Sequence, residues 1–315
     1  MNGKKVIIIG AGIAGLAASI RLSIKGFQVD VFEANSYPGG KLTEIIMDGY
    51  RFDAGPSLFT LPEQIDELFA LAGLKTEDFF RYKRLEVNCN YFWEDGARLS
   101  AYSDLDKFTK EVAYQFGEQP ENIKKALDKS AYIYKYLAPL FMHRSLHKWS
   151  TWLNKKAMAS YLRIGKFGLF HTMNQANQRQ FKHPKLAQLF NRYATYNGSN
   201  PYQTPATLNI IPHLEFNKGA YFPTEGMHSI TSSLYTLAKQ LGVNFHFNKA
   251  VDKILVKDKV AIGIQAGGKS YNGDYILNNM DMVTAYKTLL KEEKQPTRLL
   301  KQPKSSSALI FYWGV

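Results

Sequence analysis

The sequence contains almost no cysteine. Cys89 is the single cysteine among 315 residues, which excludes an internal disulfide framework. No metal site is predicted either. His143 and His147 stand four residues apart, but Arg144 occupies the place of the general-base glutamate of a zinc-binding helix. A reducing cytoplasm is the expected location of the protein.

Long apolar runs are also missing. No uninterrupted apolar stretch reaches the roughly 18 residues that a membrane-spanning helix needs, so any membrane contact is predicted to be peripheral. Lys4 and Lys5 precede an apolar stretch, as in a secretory signal. That stretch contains regularly spaced glycines and continues into a strand, so we do not predict a signal peptide.

Acidic residues are absent from a long central region. Between Lys129 and Leu214 there is no Asp or Glu, whereas the whole chain has a formal net charge of +13. The region contains twelve basic residues: Lys129, Lys135, Arg144, Lys148, Lys155, Lys156, Arg163, Lys166, Arg179, Lys182, Lys185 and Arg192. Aromatic residues such as Trp149 and Trp152 are interleaved with them.

Basic, aromatic-rich helices are typical of docking on an anionic membrane surface, where each Lys or Arg contributes about 1 kcal/mol. Two alternatives stay open. A basic groove with aromatic residues also binds single-stranded nucleic acid, and a solvated basic face over an aromatic core needs no partner. We predict peripheral association with the inner face of the membrane through residues 129–214, and no nucleic-acid partner.

The chain is organised around its opening stretch, which contains a strand, a glycine-rich turn, a helix and a second strand. Val6–Ile9 is a β-branched run that suits a parallel strand buried on both faces. Gly10, Gly12 and Gly15 follow with the spacing of a dinucleotide-binding turn. The helix predicted over 14–23 therefore directs free N–H groups at a phosphate.

Glu33 closes the second predicted strand, 18 residues after Gly15. A carboxylate at this place accepts hydrogen bonds from a ribose and argues against a 2′-phosphate. This order of a strand, spaced glycines, a helix, a second strand and a terminal carboxylate predicts a binding site for an adenine dinucleotide.

Two further glycine-rich bends follow. Gly39 and Gly40 lie next to Lys41 and expose N–H groups that form a second phosphate cradle. Asp48-Gly49 predicts a hairpin turn, and Gly55-Pro56-Ser57 follows that hairpin. A bend so close to the first nucleotide contact suits the close backbone approach that a flavin requires.

These motifs resemble the bacterial phytoene desaturase family of FAD-dependent carotenoid desaturases, which share an amine-oxidase-like flavoprotein fold. The resemblance rests on the glycine turn, Glu33, PGGK at 38–41 and FDAGPS at 52–57, and it continues at NGSNPY (197–202), YFPTEGMHSI (221–230), LGVNFHFNKAV (241–251) and ILNNMDMVTAYKTLL (276–290). FDAGPSLFTLPE and CNYFWEDG look more like the members that act at the 3,4 position of hydroxylated carotenoid ends.

The resemblance implies FAD as the cofactor and a carotenoid, drawn from the bilayer, as the substrate. It places the backbone of Val251 beside the adenine, and Asn279, Met280 and Asp281 near the pyrophosphate. The residues expected to bind the cofactor are Gly10, Ala11, Gly12, Ile13, Ala14, Gly15, Glu33, Ala34, Gly39, Gly40, Lys41, Gly55, Pro56, Ser57, Val251, Asn279 and Met280.

The length favours two domains, since a single core rarely supports 315 residues. We predict an α/β class with a Rossmann-like FAD-binding domain, formed by 1–78 and 218–285, and an inserted α+β substrate and membrane-docking domain over 79–217. Residues 286–315 are expected to return to the substrate domain. An apolar strand predicted over 307–315 ends the sequence, and the family's members continue further, so a C-terminal truncation is expected.

Local patterns predict details of the inserted domain. Leu85–Trp93 and Ala97–Tyr102 are expected to pair as antiparallel strands, and Ser103 with Asp106 forms a capping-box pattern at the start of a helix. Helices are also expected over 120–139, around 155–164 and over 184–196. In the second part of the FAD-binding domain, a strand is expected over 269–277.

The residue that accepts the substrate proton is left open by the sequence. Tyr196, Asn200, His213 and Glu215 are the candidates near the NGSNPY motif. Phytoene desaturation, a carotenoid isomerase and a non-catalytic prenyl or lipid carrier of the same fold remain alternatives, as does an NAD-dependent dehydrogenase. The carotenoid, the final electron acceptor and the oligomeric state are not predicted.

Overall fold

The computed structural model describes residues 3–314, which form two compact units. Unit 1 contains residues 3–83, 221–303 and 312–314, and unit 2 contains residues 84–220 and 304–311. Residues 1, 2 and 315 lie outside the described part.

The strands alternate with helices in the first and last thirds of the chain. The strands are β1 Lys5–Ile9, β2 Gln28–Phe32, β3 Thr43–Met47, β4 Tyr50–Ala54, β5 Phe59–Thr60, β6 Tyr82–Arg84, β7 Val87–Phe92, β8 Arg98–Tyr102, β9 Ala220–Pro223, β10 Asn244–His246, β11 Val251–Lys257, β12 Val260–Ala266, β13 Lys269–Asn272 and β14 Tyr275–Asn278.

Helices dominate the middle of the chain. The α-helices are α1 Ile13–Ile24, α2 Glu63–Leu71, α3 Leu105–Phe116, α4 Pro120–Phe141, α5 Trp149–Trp152, α6 Lys155–Tyr161, α7 Met173–Gln180, α8 Pro184–Asn191, α9 His228–Gln240, α10 Met282–Thr288 and α11 Thr297–Leu300. Short 3₁₀ turns cover Thr76–Asp78, Ile164–Lys166, Arg192–Asn197 and Ala206–Ile210, and a π-helical turn covers His213–Lys218.

Unit 1 is built on a parallel sheet of order β10-β2-β1-β14. Successive side chains of β1 point to opposite faces, as the period of a strand requires. Val6 and Ile8 belong to the apolar cluster that also contains residues of α1, α2 and α9, whereas Ile7 and Ile9 pack with Ile254 of the antiparallel sheet β11-β12-β13. Both faces of β1 are thus buried, which explains its unbroken apolar sequence.

The predicted α/β class and the Rossmann-like opening are confirmed. β1, α1 and β2 occupy the predicted stretch, with α1 beginning directly after Gly12. The hairpin predicted at Asp48-Gly49 joins β3 and β4, and both turn residues have positive φ, 51° and 83°.

Unit 2 packs its helices and the β7–β8 pair around a separate apolar core. That core includes Phe108 of α3, Leu127 of α4 and Phe190 of α8. Helix α4 is the longest helix at 22 residues, and Pro139 lies near its C-terminal end. Glu118, which is buried, accepts hydrogen bonds from Asn122 Nδ2 at 2.6 Å and from the Lys182 backbone N–H at 2.7 Å, which ties the start of α4 to the segment before α8.

Besides the helix expected over 184–196, which ends at Asn191, three predictions of local structure are wrong. No strand forms within 307–314, where Leu309 and Phe311 are exposed and pair with no strand of the described residues. The stretch 269–277 is divided at Gly273 into β13 and β14, because its second half joins the parallel sheet.

The third correction concerns the cap of α3. Asp104 caps this helix by accepting a hydrogen bond from Lys107 N–H at 2.8 Å, whereas the Ser103 hydroxyl donates to the Leu85 carbonyl. The Ser103 side chain therefore binds the segment before β7 and does not cap the helix.

The units divide the chain at 83/84 and 220/221, where the predicted boundaries were 78/79 and 217/218. The expected return to the substrate domain begins later than residue 286, because residues 286–303 belong to unit 1 and only residues 304–311 belong to unit 2. Leu289 packs with Ile7 and Ile254, and Ile254 N–H donates to the Leu289 carbonyl at 3.0 Å. Burial of Leu289 thus keeps this segment in unit 1.

Asp30 links three neighbouring strands of the parallel sheet. Its carboxylate lies 2.6 Å from Lys5 Nζ of β1 and 2.9 Å from His246 Nε2 of β10. Burial alone would raise the pKa of Asp30, but hydrogen bonds and charge from Lys5 and His246 outweigh burial and hold the pKa of this carboxyl below its usual range.

We expect Asp30→Asn to lower the free energy of unfolding at neutral pH by about 1–3 kcal/mol. A carboxyl whose pKa is lowered by folding stabilises fully above its unfolded pKa of about 3.9, and this stabilisation is lost as the pH falls through the lower folded pKa. The difference from wild type should therefore shrink as the pH falls from about 5 to about 3. Urea denaturation at stepped pH measures it.

The matched control is Asp258→Asn, which makes the same change at an exposed turn. This control should leave the stability unchanged at every pH. A deficit in Asp30→Asn that stays constant down to the most acidic pH would contradict the assignment.

Candidate functional site

The glycine turn after β1 brings α1 very close to the backbone. Gly10 has a φ of 96°, and a Cβ at Gly15 would lie 2.1 Å from the Gly10 carbonyl oxygen. No other residue fits at position 15 without moving the turn. The first turn of α1 contains no acidic residue, so its N–H groups and the positive end of the helix dipole are available to an anion.

The Glu33 side chain is held in a fixed position at the end of β2. One carboxylate oxygen accepts a hydrogen bond from Ala11 N–H at 2.8 Å, and the other accepts from the N–H of Asn35 at 2.9 Å. Glu33 is only 7% exposed. The carboxylate is therefore oriented by the glycine turn itself, with lone pairs left for a ligand.

The second glycine bend packs against the first. Gly39 N–H donates to the Ala11 carbonyl at 2.9 Å, and a Cβ at Gly39, whose φ is 116°, would lie 2.3 Å from the Leu42 carbonyl oxygen. The PGGK loop thus lies beside the N-terminus of α1. Backbone N–H groups of two loops are brought together where the sequence predicted two phosphate cradles.

The third glycine bend, at Gly55, packs directly against the second, which contains Gly39, Gly40 and Lys41. A Cβ at Gly55 would lie 1.9 Å from the Lys41 carbonyl oxygen. Just before it, the Asp53 carboxylate accepts hydrogen bonds from the N–H groups of Met227 at 2.8 Å and His228 at 3.0 Å, at the start of α9. The FDAGPS motif therefore links the β3–β4 hairpin to α9 through Asp53, and it packs against the PGGK loop at Gly55.

A single cavity of about 790 Å³ in unit 1 joins these elements. Its volume lies in the range of cofactor pockets. The predicted cofactor residues that line it are Gly10, Gly12, Ile13, Ala14, Glu33, Gly39, Gly40, Lys41, Pro56, Asn279 and Met280. One continuous groove thus extends from Glu33 to Pro56.

The other predicted cofactor residues do not line the cavity. The N–H of Ala11 is used by Glu33, and Gly15 and Gly55 lie behind the turns that they support. Ala34, Ser57 and Val251 are also outside the lining. Their part in cofactor binding stays a prediction.

Sequence reasoning missed five lining residues, and the structure also brings Asp281 to the cavity beside Asn279 and Met280. The missed residues are Leu42, Phe59, Ile65, Met227 and Ile230. All five are apolar, and apolar residues at helical or strand spacing are indistinguishable from core by pattern alone. Met227 and Ile230 fall in the YFPTEGMHSI motif, which was the one signal that could have found them.

The lining suits a ligand that combines an anion with a flat apolar group. Glycines, helix N–H groups and Lys41 suit phosphates, and Glu33 suits a ribose hydroxyl. The apolar side chains supply the surface that a fused ring needs. The cradles at Gly12 and Gly40 leave space that side chains would fill, so the residues present fit FAD.

Two of the four candidate proton acceptors meet in unit 2. Glu215 is fully buried on the π-helical turn, and the Tyr196 hydroxyl donates to it at 2.7 Å. Arg192, which was predicted only as one of the basic residues of the region 129–214, places Nη2 at 3.0 Å from both Glu215 carboxylate oxygens. Single-turn π segments are frequent at functional sites.

The ionisable groups of this cluster shift the pKa values of their neighbours. Burial and the Glu215 carboxylate raise the pKa of Tyr196, so its phenol stays protonated and acts as a donor. Burial would lower the pKa of Arg192, but Tyr193 and Glu215 outweigh it and raise the pKa of this guanidinium. Arg192 and Tyr196 thus occupy both oxygens of the buried Glu215 carboxylate.

The remaining two candidates lie apart from this cluster. His213 contacts Asn217 Nδ2 through Nδ1 at 2.8 Å, and burial together with Lys218 lowers the pKa of this imidazole. The Asn200 side chain accepts from Tyr202 N–H at 2.9 Å in a local turn. The identity of the proton acceptor stays a prediction.

Within residues 3–314, no three histidine, cysteine or carboxylate side chains are grouped as metal ligands. His143 and His147 are both exposed. Over the same residues, no helix combines the length and the apolar composition needed to cross a bilayer.

Known proteins resemble nearly the whole chain. The family described as flavin-containing amine oxidoreductase matches residues 13–310. The 1-hydroxycarotenoid 3,4-desaturase of Flavobacterium sp. (strain P99-3) is 48% identical over 312 residues, which are 99% of this chain and 64% of that protein. The 4,4'-diapolycopene oxygenase of Methylomonas sp. is 28% identical over 100% of this chain and 63% of that protein.

A solved oxidoreductase from Methanosarcina mazei has a similar fold. Its TM-score is 0.55 at 18% identity, over 93% of this chain and 63% of that one. The chain spans less than two thirds of the length of these curated relatives.

We expect Glu33→Gln to weaken FAD binding about tenfold or more, since hydrogen bonds to a charged group are worth about 1.5–3 kcal/mol. The amide also presents an N–H₂ group where Ala11 N–H and Asn35 N–H need acceptors. Titration of the apoprotein with FAD, followed by flavin fluorescence, measures the change.

The matched control is Glu67→Gln, at an exposed helix position where Glu67 pairs with Arg21 at 2.9 Å. This control should bind FAD like wild type. Equal affinities for wild type and Glu33→Gln would show that Glu33 only braces the glycine turn.

Proposed function

The chain belongs to the family of flavin-containing amine oxidoreductases, and on this basis we propose that the protein is an FAD-dependent carotenoid desaturase. It would introduce C=C bonds into an apolar polyene, with a preference for the 3,4 position of a hydroxylated carotenoid. The observation that carries the proposal is the groove in which both glycine loops meet five apolar side chains.

Family membership confirms the coarse predictions. The fold is amine-oxidase-like, the cofactor is FAD, and the enzyme class is an oxidoreductase. The matched relative named 1-hydroxycarotenoid 3,4-desaturase supports the finer proposal of substrate and position. The relative named 4,4'-diapolycopene oxygenase is less similar and supports it less.

We assign the binding of FAD to the residues of the groove. The α1 N-terminus, Gly12, Gly39 and Gly40 would hold the pyrophosphate, and Glu33 would accept hydrogen bonds from the ribose. When bound, the flavin would accept from one carbon a hydride that carries both electrons, while a proton leaves the adjacent carbon. Leu42, Phe59 and Met227 would exclude water from the ring.

The proposed carotenoid substrate is uncharged and cannot form ion pairs with the protein. Its binding therefore depends on burial of hydrocarbon, at about 25 cal/mol per Å². A polyene of this kind is dissolved in the bilayer, so the enzyme must reach a membrane surface.

A candidate membrane-docking segment lies in unit 2 over residues 141–170. Its large apolar side chains are exposed: Trp149 by 81%, Leu153 by 75%, Leu162 by 82% and Phe170 by 81%. Soluble surfaces rarely expose so many large apolar side chains along one segment. Six basic residues and no acidic residue are interleaved with them: Arg144, Lys148, Lys155, Lys156, Arg163 and Lys166.

This combination supports peripheral docking on the anionic inner face of the membrane. Aromatic and aliphatic side chains enter the headgroup layer while lysines and arginines attract lipid phosphates. Single-stranded nucleic acid would need stacking platforms within a groove, and aliphatic side chains as exposed as Leu153 and Leu162 do not stack with bases.

Expression of the complete reading frame in carotenoid-accumulating cells tests the activity. In cells that contain a 1-hydroxycarotenoid, we expect a product lighter by two hydrogen atoms, identified by chromatography and mass spectrometry. Gly15→Ala is the matched control, since its Cβ would lie 2.1 Å from the Gly10 carbonyl oxygen. It should lose both the flavin absorbance and the product.

Conversion of phytoene to coloured products would instead establish phytoene desaturation. A product that contains additional oxygen would establish an oxygenase. A purified protein with no flavin absorbance after addition of FAD would favour a lipid carrier.

Binding to vesicles tests the membrane proposal. Replacing Lys148, Lys155 and Lys156 by Gln should weaken binding to phosphatidylglycerol vesicles about a hundredfold, because each charge contributes about 1 kcal/mol. Binding to uncharged phosphatidylcholine vesicles should change little. Co-sedimentation measures both.

The control replaces Lys257, Lys259 and Lys269, three exposed lysines of unit 1, by Gln. The net charge then falls equally in both proteins. If the two triple variants lose the same affinity, overall charge and not the segment determines binding.

A further inference from the structure

Unit 2 contains an apolar slot that is separate from the groove of unit 1. Its volume is about 390 Å³, and its walls are formed by Tyr134, Leu137 and Phe141 of α4 and by Leu208, Ile211 and Leu214 on the opposite side. An apolar protein cavity of about 150 Å³ binds benzene. The slot therefore has room for a hydrocarbon chain.

The slot is continuous with the membrane-docking segment. Phe141 and Met142 line the slot and are the first two residues of that segment, and they are 53% and 46% exposed. The Phe141 ring packs edge-on against Trp152 of α5, with the ring centroids 6.1 Å apart. The same side chains thus form the wall of the slot and the start of the apolar surface.

The surroundings of the slot are positively charged. Arg144 and Lys148 are exposed and follow Met142 by two and six residues. No Asp or Glu occurs between Lys129 and Leu214. An uncharged polyene would gain nothing from this charge, whereas a lipid phosphate would.

We propose that the slot takes one acyl chain of an anionic bilayer lipid, with the lipid phosphate beside Arg144 and Lys148. This inference rests on the proposed membrane docking and deepens it. The lipid would anchor unit 2 by burial of a chain, in addition to the surface attraction of the segment.

Alkyl phosphates of increasing chain length, used below their micelle concentration, test the proposal on the whole protein with FAD bound. Calorimetry should show that the affinity rises about threefold to fourfold for each added methylene, as expected for burial of a CH₂ group. The rise should stop when the slot is full. The uncharged alcohol of the same length should bind more weakly.

Two variants change the slot in different ways. Leu137→Gln places an amide in the slot, and Ala138→Phe fills it from the same helix. Both should abolish the dependence on chain length. Leu153→Gln changes a side chain of the docking segment that does not line the slot, and it should keep the dependence.

A chain-length dependence that is the same in all four proteins would overturn the proposal. So would an alcohol that binds as tightly as the phosphate, since this result would indicate a neutral hydrocarbon such as the end of a polyene. If Ala138→Phe does not fold, Leu137→Gln decides alone. Failure of vesicle binding with an intact chain-length dependence would reject the docking segment and leave the slot assigned.

Discussion

The contact between Gly15 and the Gly10 carbonyl is the constraint on which the candidate site depends. With no side chain at position 15, α1 begins close enough to β1 for Ala11 N–H to reach the Glu33 carboxylate and for the Ala11 carbonyl to accept from Gly39. One close approach thus positions the helix N-terminus, the ribose carboxylate and the second glycine bend. A displacement of the helix start would separate all three.

The opening of the chain could be predicted from sequence because each of its signals has a local physical cause. The β-branched run of β1, the glycines and Glu33 specify their own conformations within about thirty residues. The apolar part of the groove could not be predicted in this way. Phe59, Ile65 and Ile230 come from three separate elements, and only the tertiary fold decides which of their faces meets a ligand.

The middle of the chain was harder to predict for a different reason. The helix expected over 184–196 ends at Asn191 and continues as a 3₁₀ turn, and the π-helical turn that buries Glu215 has no signature in a single sequence. The Arg192 pairing follows from these irregular turns. At 307–314 the error was to predict an element that does not form. Composition alone suggests a strand there, but this segment pairs with no strand among the described residues.

The parallel sheet of unit 1 also has a consequence for biosynthesis. β1 pairs on one side with β14, and Lys5 N–H bonds to Asp274, which lies 269 positions further along the chain. A ribosome must therefore make residues 84–220 of unit 2 before the first strand gains its last partner. Closure over so long a separation is slow in general. The nascent chain must keep the apolar residues of β1 protected until then, which makes this protein a strong candidate for chaperone dependence during synthesis.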